Sequence, residues 1–162
     1  VVQIGNITYF DKEDKEFLVS QTMIAGVVDE RIKELVDEIN GIENLVTMNS
    51  CQGGSEPYTE QEVKDRGGKG NHCPITYVDF YAIDHDYYTA NLLIAFIIAE
   101  IGSEERVSGN MSFEEDGYID EDDYFQPNGL MSLRYRIEGE SPEVISEITA
   151  AVRKFKKQLI KF

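Results

Sequence analysis

The sequence predicts a single α+β domain over residues 1–162, with a mostly antiparallel sheet backed by three helices. Three observations carry this. Residues 28–39 and 144–159 repeat apolar side chains at helical spacing, and 87–101 is apolar for most of its length. Strand-like runs fall in neighbouring pairs, as antiparallel strands do. Finally, the order helix, glycine, strand, long loop, strand occurs twice. Gly41, Glu43, Val46 and Asn49 of the first passage match Gly102, Glu104, Val107 and Asn110 of the second. This suggests a duplicated helix–strand–strand unit.

In chain order, Val2–Phe10 reads as a strand, with Glu16–Ser20 as its hairpin partner across the charged turn Asp11–Lys15. Val28, Ile32, Leu35, Val36 and Ile39 then share one helix face, and Asn40-Gly41 ends that helix. A strand, Leu45–Asn49, leads into a polar loop with five glycines, and a second strand, Ile75–Ile83, leaves it. Asp84 or Asp86 caps a helix over Tyr87–Ile101 whose nearly all-round apolar surface predicts the deepest position in the core. Gly102 stops it. Strands near Arg106–Phe113 and Leu130–Ile137 flank an acidic loop. Ser141-Pro142 then opens a last helix that turns Val144, Ile148, Ala151, Val152, Phe155 and Leu159 inward.

Charge is the strongest global signal. The net charge is −16, and five of the 15 Lys and Arg residues lie in the last ten positions, where there are no acids. Ten bases against 31 acids leave −21 over residues 1–152. Such a surface repels phosphate backbones, so direct nucleic-acid binding is disfavoured; the charge reads first as solubility and second as a surface that imitates nucleic acid for a basic protein partner. The longest apolar run, Leu92–Ala99, is too short for a membrane span, and the N-terminus reads unlike a signal peptide; both predict a soluble cytoplasmic protein.

Both cysteines and both histidines (Cys51, His72, Cys73, His85) fall between Val46 and His85. Asn49, Ser50, Cys51, Gln52, Gly53 and Gly54 end a strand in small residues, and their backbone N–H groups offer an anion-binding nest. Arg66, Lys69 and His72 add positive charge and a ring nitrogen from the same loop. Together these residues form the candidate ligand-binding set, suited to a phosphate-bearing or nucleotide-like small molecule. The four sulfur and imidazole side chains are also a zinc-compatible set, although their spacing matches no recognised zinc pattern. Cysteine catalysis, with a histidine as base, stays open.

An apolar helix ending at Ile39-Asn40, followed by a strand ending in Asn49-Ser50-Cys51-Gln52-Gly53, resembles the wybutosine-synthesis TYW3 family. That family carries Ser-Ser-Cys-x-Gly-Arg after a comparable helix and strand. The passage is similar, too, to uncharacterised phage and bacterial proteins with a Ser-Cys-x-Gly turn before a Tyr-x-x-Phe strand, here Tyr77-Val78-Asp79-Phe80. The resemblance covers residues 27–83 and implies a related fold and a ligand-facing loop. Asn49 stands in place of the first Ser and Gly54 in place of the Arg, and the acidic surface is ill suited to the tRNA substrate of that family. The fold relation is therefore carried over, and the activity is not.

The second candidate region runs from Ser112 to Asp123. Its residues fall partly in calcium-loop register, with Gly117 at the sixth position, but an EF-hand loop needs helical flanks and these read as strands. Seven acids in residues 114–123, interleaved with Tyr118 and followed by Tyr124 and Phe125, better suit an interface. Glu114, Glu115, Asp116, Tyr118, Asp120, Glu121, Asp122 and Asp123 are the candidate partner-binding set. No P-loop, Rossmann fingerprint, nucleophile elbow or zincin motif is present. The expected function is a non-enzymatic small-ligand-binding protein of phage counter-defence type with no cofactor. The alternative is an acidic inhibitor, or nucleic-acid mimic, that binds a basic protein partner.

Overall fold

The computed structural model describes residues 2–25, 28–53, 59–65, 75–122 and 124–159. The N-terminal strand is a short hairpin of β1 (Val2–Ile4) and β2 (Ile7–Tyr9), and the expected partner strand at Glu16–Ser20 is instead part of helix α1 (Lys12–Ala25). A reciprocal cap explains the difference. Asp11 accepts the Asp14 N–H and Asp14 accepts the Asp11 N–H, both at 2.9 Å, which fixes a helix start where the charge pattern reads as a turn.

Helix α2 (Lys33–Asn40) is shorter than its apolar pattern suggests, because residues 29–32 form a turn closed by the Ile32 N–H on the Asp29 carbonyl. The Asn40 side chain accepts the Thr47 N–H at 2.8 Å and so ties the helix end to β3 (Leu45–Cys51). A short helix α3 (Glu60–Asp65) lies inside the glycine-rich segment, followed by β4 (Thr76–Ala82). Asp86 caps α4 (Tyr87–Ile101) through the Thr89 N–H and hydroxyl. Gly102 closes α4 in the left-handed conformation, φ 70°, which a glycine adopts without cost.

The largest departure from expectation is the acidic segment. It is not a loop: β5 (Val107–Ile119) and β6 (Phe125–Gly139) form one long antiparallel hairpin, with Glu114 opposite Ser132 and Glu115 opposite Met131. The Ser132 hydroxyl opposite Glu114, and the Arg134 guanidinium diagonal to it, offset the like-charge penalty that would have kept the segment open. Asp120 closes the turn by accepting N–H groups from Asp122 and Tyr124 and the Gln126 amide.

The sheet is antiparallel throughout except where β2 runs parallel to β6. One edge of β6 carries β5. The other carries β4 over residues 135–139 and β2 at residues 131–132, and β3 lies outside β4. Helices α2, α4 and α5 (Ile145–Leu159) cover one face, in contact with Phe80, Val78, Tyr135 and Ile137. The middle of this layer belongs to α5, not α4. Helix α5 packs on both other helices and buries Ile145, Ile148, Thr149, Ala151, Val152 and Phe155, whereas α4 buries Ala90, Leu93 and Ile97 and leaves Tyr88 and Leu92 exposed. Helix α1 covers only one end of the opposite face, where Leu18 and Val19 meet Val46, Tyr81 and Ile83. No helix among the described residues covers the rest of that face, the open face. Among the described residues no helix is long and apolar enough to cross a membrane.

Candidate functional site

The turn that follows β3 is held from three sides. The Thr76 hydroxyl donates to the Gln52 carbonyl at 2.7 Å, the Gln52 N–H donates to the Asp29 carboxylate at 3.1 Å, and the Arg31 N–H donates to the Gln52 side-chain oxygen at 3.3 Å. Gly53 has φ 69°, and a Cβ there would stand 2.6 Å from the Thr76 nitrogen, so only glycine fits. The Gly53 N–H points at the Cys51 sulfur, 3.4 Å away. The N–H groups of Gln52 and Gly53 are thus engaged within the chain, the first by a carboxylate of the protein itself. Gly54, Arg66, Lys69, His72 and Cys73 lie outside the described residues.

Register decides where the rest of the set points. Ser50 pairs with Val78 and shares its helix-covered face, while Asn49 pairs with Asp79, and Cys51 with Tyr77, on the open face. His85 follows the far end of β4 from Cys51, so these two side chains cannot share a metal ion or act as a nucleophile–base pair. Among the described residues no group of His, Cys, Asp and Glu is placed to hold a metal.

The open face gathers a constellation from four strands. Asp79, 1% exposed, accepts two hydrogen bonds from Arg136, at 2.6 and 2.9 Å, and has Arg134 at 3.6 Å. The Arg136 guanidinium lies 4.0 Å from the centre of the Tyr77 ring. Arg134 also pairs with Glu114 and donates to the Ser112 hydroxyl, and Glu114 accepts from the Tyr81 phenol at 3.3 Å. The hydroxyls of Thr8 and Ser132 donate to the two oxygens of Asp116. Every carboxylate oxygen of Asp79, Glu114 and Asp116 therefore has a partner. Burial, then the Glu114 charge, pushes the Tyr81 phenol up to about 12, so it remains a donor at neutral pH. The Asp79 bonds hold Arg136 above its usual range.

This geometry divides the expected partner-binding set. Glu114 and Asp116 belong to the open face and Asp120 to the hairpin turn, whereas Glu115, Glu121 and Asp122 are exposed. The Tyr118 side chain and Asp123 lie outside the description. Sequence reading missed Tyr77, Asp79, Arg134 and Arg136. A signal was available, since Arg134-x-Arg136 puts two cations on one face of a strand in a chain that has few.

A second polar feature sits beyond the other end of β4. Asp84 and His85 are consecutive non-glycine residues with positive φ, 51° and 63°. The His85 ring rests on Tyr9 with centroids 3.5 Å apart, its Nδ1 is 2.9 Å from the Tyr87 hydroxyl, and its buried Nε2 has no hydrogen-bond partner among the described residues.

Comparison with known proteins places most of the chain, up to the end of β5, in a family. Residues 12–120 match the family model described as methyltransferase TYW3. The solved structure of the PH1069 protein from Pyrococcus horikoshii is 16% identical, covers 91% of this chain and 88% of its own, and superposes with a TM-score of 0.40. No curated protein matches the chain. The family match overturns the expected function: a methyltransferase family is a family of enzymes, which removes the ground both for a non-enzymatic ligand-binding protein and for an acidic inhibitor or mimic.

Proposed function

This chain belongs to the TYW3 methyltransferase family, and from that premise we propose that it transfers a methyl group to a nitrogen of a base of the kind modified in tRNA. The open face of the sheet is the surface that receives the base. One observation carries the assignment of the site: the matched residues include the Cys51 turn, all of β4 and all of β5, and on the open face their Tyr77 and Asp79 meet Arg136 while Ser112 and Glu114 meet Arg134, both arginines coming from β6 beyond the match. The same reading puts the protein in the cytoplasm, where tRNA is modified.

The methyl donor that the family implies is S-adenosylmethionine. The described residues of the open face are not assigned to its sulfonium, because Glu114 is bonded to Arg134 and Tyr81, Arg136 lies over the Tyr77 ring, and Tyr81 is buried. When bound, the donor supplies the methyl carbon: the acceptor nitrogen's lone pair forms the new bond, the C–S electron pair stays on sulfur, and the nitrogen's proton is left for water.

The residues of the chain act by position. Asp79 holds the Arg136 guanidinium over the Tyr77 ring, 4.0 Å from its centre, and a planar base can lie beside this pair. The exposed Asn49 amide, paired across the strands with Asp79, offers both a donor and an acceptor to a base edge. Tyr81 stays protonated and orients Glu114. With every carboxylate oxygen of Asp79, Glu114 and Asp116 committed, the face holds and orients the acceptor, and solvent takes the proton. The test is methyl transfer from labelled S-adenosylmethionine to undermethylated tRNA or its nucleosides, resolved by mass spectrometry of the products. Arg136→Met should lose the transfer while keeping the fold. Absence of transfer to every acceptor by the unaltered protein would remove the proposal.

A further inference from the structure

We propose that the outer edge of β5 is a self-association surface, along which two copies of this chain pair antiparallel about Ser112. The inference stands independently of the methyltransferase reading. Strand β5 pairs only with β6 among the described residues, so its other side is an edge of the sheet. Its register with β6 runs unbroken over residues 107–115, whereas the edge at β3 is interrupted between Thr47 and Asn49. A long regular edge presents backbone donors and acceptors to a further strand.

Alternation fixes which groups face outward. The Glu140 N–H donates to the Arg106 carbonyl, so even-numbered residues of β5 bond to β6 and odd-numbered ones turn their N–H and C=O away from it. No described residue takes up the outward groups of Gly109, Met111 or Phe113. The Met111 and Phe113 side chains, on the same face as buried Val107, are each 55% exposed.

Charge and burial select the register. Each copy carries −16, so a stable pairing keeps carboxylates from facing one another. Pairing about Asn110 sets Glu115 against Glu105, and pairing about Glu114 sets that residue against its own copy. About Met111, Glu115 faces Val107, which is 1% exposed; about Phe113, Glu115 faces Met111. Pairing about Ser112 sets Met111 against Phe113 twice, once on each side of the twofold axis, and Glu115 against Gly109, which has no side chain. On the open face it brings the exposed Asn110 amide of the second copy opposite Glu114, a further donor for the carboxylate that already holds Arg134 and Tyr81. The bulge between Glu115 and Gly117 ends the pairing.

The experiment measures the mass of the full chain by light scattering across micromolar concentrations. The expected result is twice the chain mass for the unaltered protein and for Leu92→Glu, which alters the exposed apolar surface of α4. Met111→Glu should give a single chain with an unchanged circular-dichroism spectrum. A single chain at every concentration of the unaltered protein overturns the proposal. So does a dimer that Met111→Glu leaves intact or that Leu92→Glu dissociates. Register is read separately by disulfide formation, in a chain with Cys51 and Cys73 replaced by serine. At Ser112 the Cα atoms of the two copies should approach to about 4.5 Å, within the range that a disulfide spans. Ser112→Cys should therefore cross-link under mild oxidation, and Ser108→Cys should not. Cross-linking through Ser108→Cys equal to or above that through Ser112→Cys overturns the pairing.

Discussion

Replacing Asp79 by Asn tests whether the buried ion pair organises the open face. The substitution keeps the shape of the side chain and removes its charge, leaving an amide NH2 against the Arg136 guanidinium where a carboxylate oxygen now accepts at 2.6 or 2.9 Å. Breaking a buried pair by removing one partner costs about 3–5 kcal/mol. Both arginine side chains are 19% exposed, so water recovers part of the loss and the lower end, about 3 kcal/mol, is expected. With a urea m-value of about 2 kcal/mol/M, the denaturation midpoint should fall by about 1.5 M at unchanged m. Arg136→Met should cost less, because Arg134 remains 3.6 Å from Asp79. The double variant Asp79→Leu with Arg136→Met leaves neither charge uncompensated and should be more stable than Asp79→Asn alone. A loss below about 1 kcal/mol in Asp79→Asn, or a double variant as unstable as the two single effects added together, would refute the reasoning.

Three further outcomes follow from the same structure. Gly53→Ala must hold a side chain at φ 69° with its Cβ 2.6 Å from the Thr76 backbone nitrogen; strain and overlap should cost about 2–4 kcal/mol in chemical denaturation, and a neutral result would mean that the turn is not packed as described. Tyr81 holds its proton more tightly in the fold than the ordinary value of 10, so its stabilising contribution is complete below pH 10 and is lost as pH rises through about 12. Burial also raises Tyr87 and Tyr135, so ultraviolet titration should show a phenol near pH 12 that is absent in Tyr81→Phe, and Glu114→Gln should bring it down. Glu38 is held below the usual carboxylate range by hydrogen bonds from Lys156 and Arg153. That contribution is present above pH 4.5 and disappears as pH falls through its lowered value, so Glu38→Gln should lose up to about 1 kcal/mol at neutral pH and match the parent in acid.

The parts of this structure written in short range were legible in the sequence. Asp86 caps α4, Gly102 ends it, and α5 turns Ile148, Val152 and Phe155 inward, because each depends on spacings of a few residues. The Asp11–Asp14 cap was equally local but was hidden by a charged stretch that also reads as a turn. Strand status for Glu114–Ile119 depended on what lies opposite, namely Ser132, Arg134 and the Thr8 hydroxyl, and the pattern of β5 alone holds none of that. The depth of α4 was misjudged for a related reason. An apolar surface states what a helix can bury, and the neighbours decide what it does bury; here α5 takes the middle place. The candidate site was half legible. The Cys51 turn stands out through its glycines, whereas Asp79 and Arg136 are ordinary residues of two strands until register brings them together.

That meeting has a further physical meaning. Strand β3 pairs with β4 and β5 with β6, and β4 and β6 lie antiparallel side by side, so the strand pairing β3–β4–β6–β5 reads the same from either edge, as about a twofold axis between β4 and β6. Asn49 lies opposite Asp79 in the first unit, and Asn110 opposite Arg136 in the second. Asp79 and Arg136 are therefore equivalent positions, and because they also pair with each other, the axis passes between them. In two identical units the same side chain would face its own copy there, and two like charges in a site 1% exposed would repel strongly. An acid in one unit and a base in the other convert that repulsion into the strongest ion pair of the open face. The sheet beneath stays nearly symmetric while its chemistry does not: one flank offers Cys51 and Tyr77, the other Ser112 and Arg134. An asymmetric face is what an acceptor base, with different groups along each edge, requires for binding in a single orientation.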